Sequence, residues 1–193
     1  MKKILLIAVT TFLCLNALAQ TGLREGGAAP AFAAVDNTGK ALNLKALLKK
    51  HKAVVLFFYR GQWCPYCNKQ ISHLQDSLQL LAAKGAYVIG VTPETGENIN
   101  KTIDKTHAAF SIIQDKNYTI MKAYQVNYVV DGAMLAKLKN YGVDLEKNNG
   151  NTDHVLPVPA TYIIDSSGKI IYAHVDKDYT KRPPVSDLLK ALN

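Results

Sequence analysis

The chain has 193 residues, of which 48% are hydrophobic and 20% charged. That is enough for one domain with a substantial core, too little for two ordinary ones, and too apolar for a disordered polymer. The formal charge of +8 shows no basic stripe interleaved with aromatics, which argues against a nucleic-acid partner.

Residues 1–19 read as a secretory signal peptide. Lys2 and Lys3 supply a positive start, Ile4 to Leu15 an apolar run, and Ala17-Leu18-Ala19 a small-x-small cleavage pattern. Cleavage after Ala19 would leave Gln20 as the mature N-terminus and would also remove Cys14. Thr11-Phe12-Leu13 lacks the small residue that a lipoprotein site requires before that cysteine. Later in the chain no apolar run reaches the roughly 18 residues of a membrane span, so the mature protein is expected not to be transmembrane and to be periplasmic or secreted. It would keep two cysteines, Cys64 and Cys67.

Residues 20–30, rich in Gly and Ala, read as a flexible lead-in to a single domain over 31–193. Asp36-Asn37-Thr38-Gly39 predicts a turn between two short strands within 31–44. Residues 45–52 predict a short helix with solvated lysines. The run Ala53 to Tyr59 (AVVLFFY) has the length and branching of a strand covered on both faces. A helix is predicted from Pro65 to Gly85, because Cys67, Ile71, Leu74, Leu78 and Leu81 recur at helical spacing. Tyr87 to Val91 predicts a second buried strand, and Thr92-Pro93-Glu94 opens the next helix. A short strand at 111–114 and a helix at 118–124 follow. From 127 to 154 the pattern weakens to one helix at 133–141 and a loop at Asn148 to Asn151. Thr161–Ile164 and Ile170–His174 flank the hairpin turn Asp165-Ser166-Ser167-Gly168, and residues 184–192 form a closing helix. This order of elements gives an α/β class with a mixed sheet.

Cys64-Pro65-Tyr66-Cys67 sits where a buried strand gives way to a helix. Unpaired N–H groups and the partial positive charge at a helix start stabilise a thiolate. Arg60, four residues earlier, adds to that field. This predicts an exposed, attacking Cys64 and a core-facing, resolving Cys67. Three other uses of the pair fit less well. A structural disulfide would close too short a loop to restrain the chain much. Zinc needs four ligands, and the five histidines are scattered. Haem attachment needs His after Cys67, where Asn68 stands.

The stretch Phe57 to Gln70 (FFYRGQWCPYCNKQ), the segment Leu156 to Asp165 (LPVPATYIID) and the tail Asp178 to Pro183 resemble the peroxiredoxin-like branch of the alkyl hydroperoxide reductase/thiol-specific antioxidant (AhpC/TSA) family. The resemblance covers roughly residues 26 to 193. It implies a thioredoxin-like fold: a central mixed β-sheet flanked by helices, with an N-terminal β-hairpin extension. It also implies a cis-proline at Pro159, with Pro157 as the rival position and a plain turn as the other reading. It further implies that Val158 offers its backbone to a substrate, and supporting roles for Arg60, Trp63, Pro65 and Tyr66. Two departures stand out. Typical members carry Thr or Ser three residues before the reacting cysteine and Arg shortly before the hairpin strand, where this chain has Gly61 and Pro159. Arg60 and Arg182 are the candidate substitutes. Thioredoxin's buried aspartate is replaced by Phe58, so Cys67 must lose its proton by another route.

These readings lead to an exported dithiol oxidoreductase that attacks a protein or small-molecule disulfide through Cys64. The alternative is a thiol-dependent peroxidase acting on a hydroperoxide, with Cys64 peroxidatic and Cys67 resolving, recycled by a thiol reductant system. A copper-delivery module shares the fold, but its cysteine spacing differs. No cofactor or metal is expected.

Overall fold

The structure is a computed structural model that describes residues 22–193; the expected signal peptide and Cys14 lie outside the described residues. It opens with the hairpin β1 (Ala33–Val35) and β2 (Ala41–Asn43), then α1 (Leu44–Leu48) and β3 (Ala53–Phe58). Next come α2 (Pro65–Asp76), α3 (Leu78–Ala83), β4 (Ala86–Thr92), α4 (Gly96–Thr106), β5 (Ser111–Gln114) and α5 (Thr119–Ala123). A strand-helix-helix-strand excursion follows: β6 (Asn127–Val129), α6 (Gly132–Asn140), α7 (Leu145–Asn149) and β7 (Val155–Pro157). The hairpin β8 (Ala160–Asp165) and β9 (Ile170–Val175) and the helix α8 (Val185–Ala191) complete the chain.

The central sheet has the order β5-β4-β3-β8-β9. β3, β4 and β5 run parallel, whereas β8 is antiparallel to β3 and β9 to β8. This is the thioredoxin-like arrangement with an added N-terminal hairpin. Every residue of β3 is buried, as its unbroken apolar run requires. Val54, Leu56 and Phe58 point to one layer, packed with Leu42, Leu47, Tyr124 and Tyr162. Val55, Phe57 and Tyr59 point to the other, with Ile71, Leu74, Ile99 and Leu188 from the helices. Both cysteines lie in this second layer. Gly90 is required by packing, since a Cβ there would come within 2.9 Å of the Phe57 ring.

Three expectations need correction. Residues 22–30 are tied down rather than flexible: the Gly26 N–H donates to the Ile170 carbonyl at 2.8 Å and the Ala29 N–H to Gly168 at 2.8 Å, while the Leu23 N–H donates to the Tyr162 hydroxyl. The single helix expected from Pro65 to Gly85 is broken at Ser77, whose φ and ψ of −102° and 7° leave the helical region. Asn148 and Asn149 belong to α7, which ends at Gly150 with φ of +70°. Asn149 is pulled into the core, where its side chain donates to the Val155 carbonyl.

The strands β6 and β7 pair antiparallel, a contact that the weak pattern of 127–154 did not predict. They clamp the excursion at its base, and Val130, Leu138, Leu145 and Leu156 form a small core of their own. Among the described residues no helix is long and apolar enough to cross a membrane. Because Leu156 is fully buried at the join of this core and the ribbon, Leu156→Ala should lower stability by about 2–5 kcal/mol in urea unfolding. A change within experimental error would show that the excursion is not packed as described.

Candidate active site

β3 delivers the chain to its C-terminal end, where Tyr59 to Trp63 turn into α2. Cys64 is the N-cap of α2, with Pro65 in the first helical position, where a missing N–H costs nothing. The Cys64 N–H donates to the Gly61 carbonyl at 3.0 Å, and the Cys64 carbonyl accepts from the N–H groups of Cys67 and Asn68 at 3.1 Å each. Both cysteines are free thiols. Cys67 faces the core as its helical spacing predicts. Cys64 departs from the expected exposure, with only 1% of its surface accessible. The reason is the excursion, which brings α6 and the following turn over the start of α2. What remains is a cleft of about 280 Å³, lined by Cys64, Arg60, Trp63, Leu138 and Tyr141 among others.

Two guanidinium groups serve the pair. Arg182, from the segment before α8, places Nη2 3.5 Å from the Cys67 sulfur. Arg60 is buried, and its guanidinium carbon lies 4.8 Å from the Trp63 ring and 4.3 Å from the Tyr179 ring. Among the described residues no carboxylate lies within ion-pair distance of either arginine. Burial pushes the Cys67 thiol up, but a hydrogen bond from Cys64, the Arg182 charge and the Arg60 backbone N–H outweigh it and draw it down to about 6. That same hydrogen bond, followed by burial, pushes the Cys64 thiol well above the thiol range. The two thiols therefore titrate as a pair around one shared hydrogen bond, with Arg182 and the Arg60 N–H favouring negative charge on the Cys67 side. The helix start beside Cys64 was visible in the sequence, whereas the approach of Arg182 to Cys67 was not.

A third group was missed. Glu94, expected only to open a helix, lies just past β4, and its side chain is fully buried. Its Oε2 accepts from the Gln62 N–H at 2.7 Å, while Oε1 has no hydrogen-bond partner. Gly61 makes the room: a Cβ at that position would lie 2.5 Å from both Glu94 Oε1 and the Trp63 indole nitrogen. Burial pushes the Glu94 carboxyl up to about 8, against the pull of the Gln62 N–H and with help from the Cys67 charge. The one available signal was a carboxylate directly after a parallel strand, at the sheet edge where α/β sites gather.

The remaining expected residues are placed as follows. Trp63 is half-buried and shields Arg60; Tyr66 is exposed and meets Tyr179 edge-on with centroids 6.0 Å apart. Pro159 is buried next to Ala160, which pairs with Phe58, so it lies at the dithiol end of the sheet. Its peptide bond is trans, as the chain contains no cis bond among the described residues, so the expected cis-proline is corrected. The Val158 N–H is already engaged, donating to the Val126 carbonyl at 2.7 Å, so it is not offered to a substrate strand.

Comparison with known proteins agrees with this geometry. The AhpC/TSA family model matches residues 26–173. This chain belongs to the AhpC/TSA family. Among curated relatives, a putative chloroplastic peroxiredoxin Q of Oryza sativa subsp. indica is 24% identical over 168 residues, covering 87% of this chain. The match spans 66% of the rice protein, just under two thirds of its length. Among solved structures, the peroxidoxin BcpB from Mycobacterium tuberculosis superposes with a TM-score of 0.69 at 19% identity, covering 90% of this chain and 97% of that one. The thioredoxin domain of a thiol-disulfide oxidoreductase from Bacteroides vulgatus gives 0.59 at 19% identity, covering 89% and 99% respectively. At these identities the structural likenesses establish the fold alone.

Gly61→Ala should force Glu94 and Trp63 apart, costing roughly 1–3 kcal/mol of stability and shifting the emission of Trp63, the sole tryptophan. Unchanged stability and fluorescence would contradict the contact between the loop and Glu94.

Proposed function

We propose that this chain is an exported thiol-dependent peroxidase, with Cys64 oxidised by a small hydroperoxide and Cys67 resolving it. The observation that carries the reading is the burial of Cys64 at the edge of a cleft of about 280 Å³. Such a space suits a small molecule; a protein disulfide would have to displace the cover first. The engaged Val158 N–H also weighs against docking of a substrate strand. Membership of the AhpC/TSA family points the same way, and the leader pattern at residues 1–19 supports export.

The chemistry follows from the shared proton. With that proton on Cys67, Cys64 is a thiolate, which attacks the nearer peroxide oxygen. The O–O bond breaks, Cys64 becomes a sulfenic acid, and the departing alkoxide takes a proton from solvent to leave as an alcohol. Arg60, buried and free of any carboxylate among the described residues, is the cation beside that developing negative charge. Cys67 then attacks the Cys64 sulfur, expelling water and closing the disulfide. A thiol reductant supplies the two electrons that reopen it.

A second reading, thiol-disulfide exchange on protein substrates, is favoured by the exposed aromatics at the cleft rim, Tyr66 at 43% and Tyr141 at 74%. Stopped-flow oxidation by hydrogen peroxide separates the two. The peroxidase reading expects a rate far above that of a free thiol, abolished in Cys64→Ser and limited to one turnover in Cys67→Ser, with dimedone trapping the sulfenic acid on Cys64. A rate no faster than free cysteine, together with rapid insulin reduction, would establish the exchange reading instead.

A further inference from the structure

Once Cys64 has reacted, the resting arrangement of charge can no longer hold. The Cys64 S–H is the leading donor that keeps Cys67 ionised, and conversion of Cys64 to a mixed disulfide abolishes it, while conversion to a sulfenic acid moves the donor out onto oxygen. Burial then favours the neutral thiol on Cys67. Cys67 must attack from within a closed core, so its proton needs an acceptor that is itself inside.

The structure supplies one buried carboxyl beside the loop that leads into the dithiol. Glu94 is packed on the Gly61–Cys64 loop, fixed by the Gln62 N–H on one oxygen and left without a partner on the other. An unpartnered carboxylate oxygen in a core is costly unless it has work to do or a proton to hold. We propose that Glu94 is the proton partner of Cys67, taking its proton as the disulfide closes and returning it to the leaving group. The inference rests on the dithiol reading of this site and holds for either redox substrate.

The step balances. In molecules whose Glu94 is ionised, a fraction that grows as the pH rises through about 8, the Cys67 S–H bond breaks and the proton passes to the Glu94 carboxylate. The freed electron pair forms the S–S bond to Cys64. The Cys64–O bond of the sulfenic acid breaks with its electrons on oxygen. Glu94 protonates the departing hydroxide, water leaves, and the carboxylate is restored. With a mixed disulfide the leaving group is a thiolate in place of hydroxide.

The groups around Glu94 fit this role. Burial of the carboxyl raises its affinity for a proton toward that of a thiol, and the Cys67 charge adds to it, so the two sites exchange a proton at small cost. Lys105 and Lys101 of α4 oppose that rise, and both are exposed. Lys105 donates to the Gln62 carbonyl at 3.2 Å rather than to Glu94. The Tyr59 phenol, at the end of β3, is pushed far up by burial and then by the Glu94 charge, so it stays neutral. Arg60 and Arg182 act on the sulfurs.

The test uses the small aromatic disulfide dithiobis(nitrobenzoate), which needs no peroxidase activity. The reduced protein releases two coloured thiolates per chain, the first on attack by the dithiol and the second on closure. In Glu94→Gln, which keeps an acceptor for the Gln62 N–H, closure relative to attack should slow by on the order of 10²-fold. The wild-type closure rate should bend near pH 8, and that bend should vanish in Glu94→Gln and return in Glu94→Asp. Closure in Glu94→Gln with the wild-type rate, or slowed with the pH bend retained, would overturn the proposal. If Glu94→Gln fails to fold, Glu94→Asp carries the test alone: a displaced bend supports the role and an unmoved one overturns it. Normal closure here in a protein inert to peroxide would remove the peroxidase reading and leave this inference standing.

Discussion

Two sulfurs buried at the start of one helix cannot both be charged and are poorly placed to be both neutral, because Arg182 brings a cation to Cys67. The solution is one proton for two thiols. Their surroundings follow from that constraint. Arg60 lies between two aromatic rings instead of against a carboxylate, so its charge remains available to the sulfurs. The start of α2 adds a further positive end at Cys64. A carboxylate paired with either arginine would cancel the field that makes the dithiol acidic.

The same constraint explains the cover. A guanidinium acts strongly on a thiolate only where water is excluded. The excursion between β6 and β7 supplies that exclusion, since its small core of Val130, Leu138, Leu145 and Leu156 also packs on Trp63. The cleft left beside Cys64 is therefore a consequence of the electrostatics and a filter on what can react. Gly61 belongs to the same design. Its missing side chain lets Glu94 lie against the loop that carries the dithiol, joining the end of β4 to the reacting end of β3.

Much of this was legible in the sequence where local pattern controls structure. The apolar run of β3, the helical stripe from Cys67 to Leu74, and the Asp165–Gly168 turn each specify their element through burial or turn chemistry alone. The dithiol was legible because its spacing carries its chemistry. The burial of Cys64 was not, since it depends on the pairing of β6 with β7, two three-residue strands nearly thirty positions apart. The placement of Glu94 depends likewise on a contact across 32 positions with Gln62. The isomer at Pro159 was misread because it was carried over from the resemblance, and no local pattern in the segment decides it. Arg182 was named as a possible substitute donor, but its reach to Cys67 spans 115 positions.

The claim on which the account turns is that the reduced dithiol holds a single proton, and ultraviolet thiolate absorbance measures this directly. The reduced protein should show one thiolate per chain at neutral pH. Because the folded Cys67 thiol is depressed, that signal should persist above its titration and disappear as the pH falls through about 6, and oxidation should abolish it. A reduced protein showing no thiolate until the pH rises through roughly 8.5, the range of an unperturbed thiol, would contradict the account.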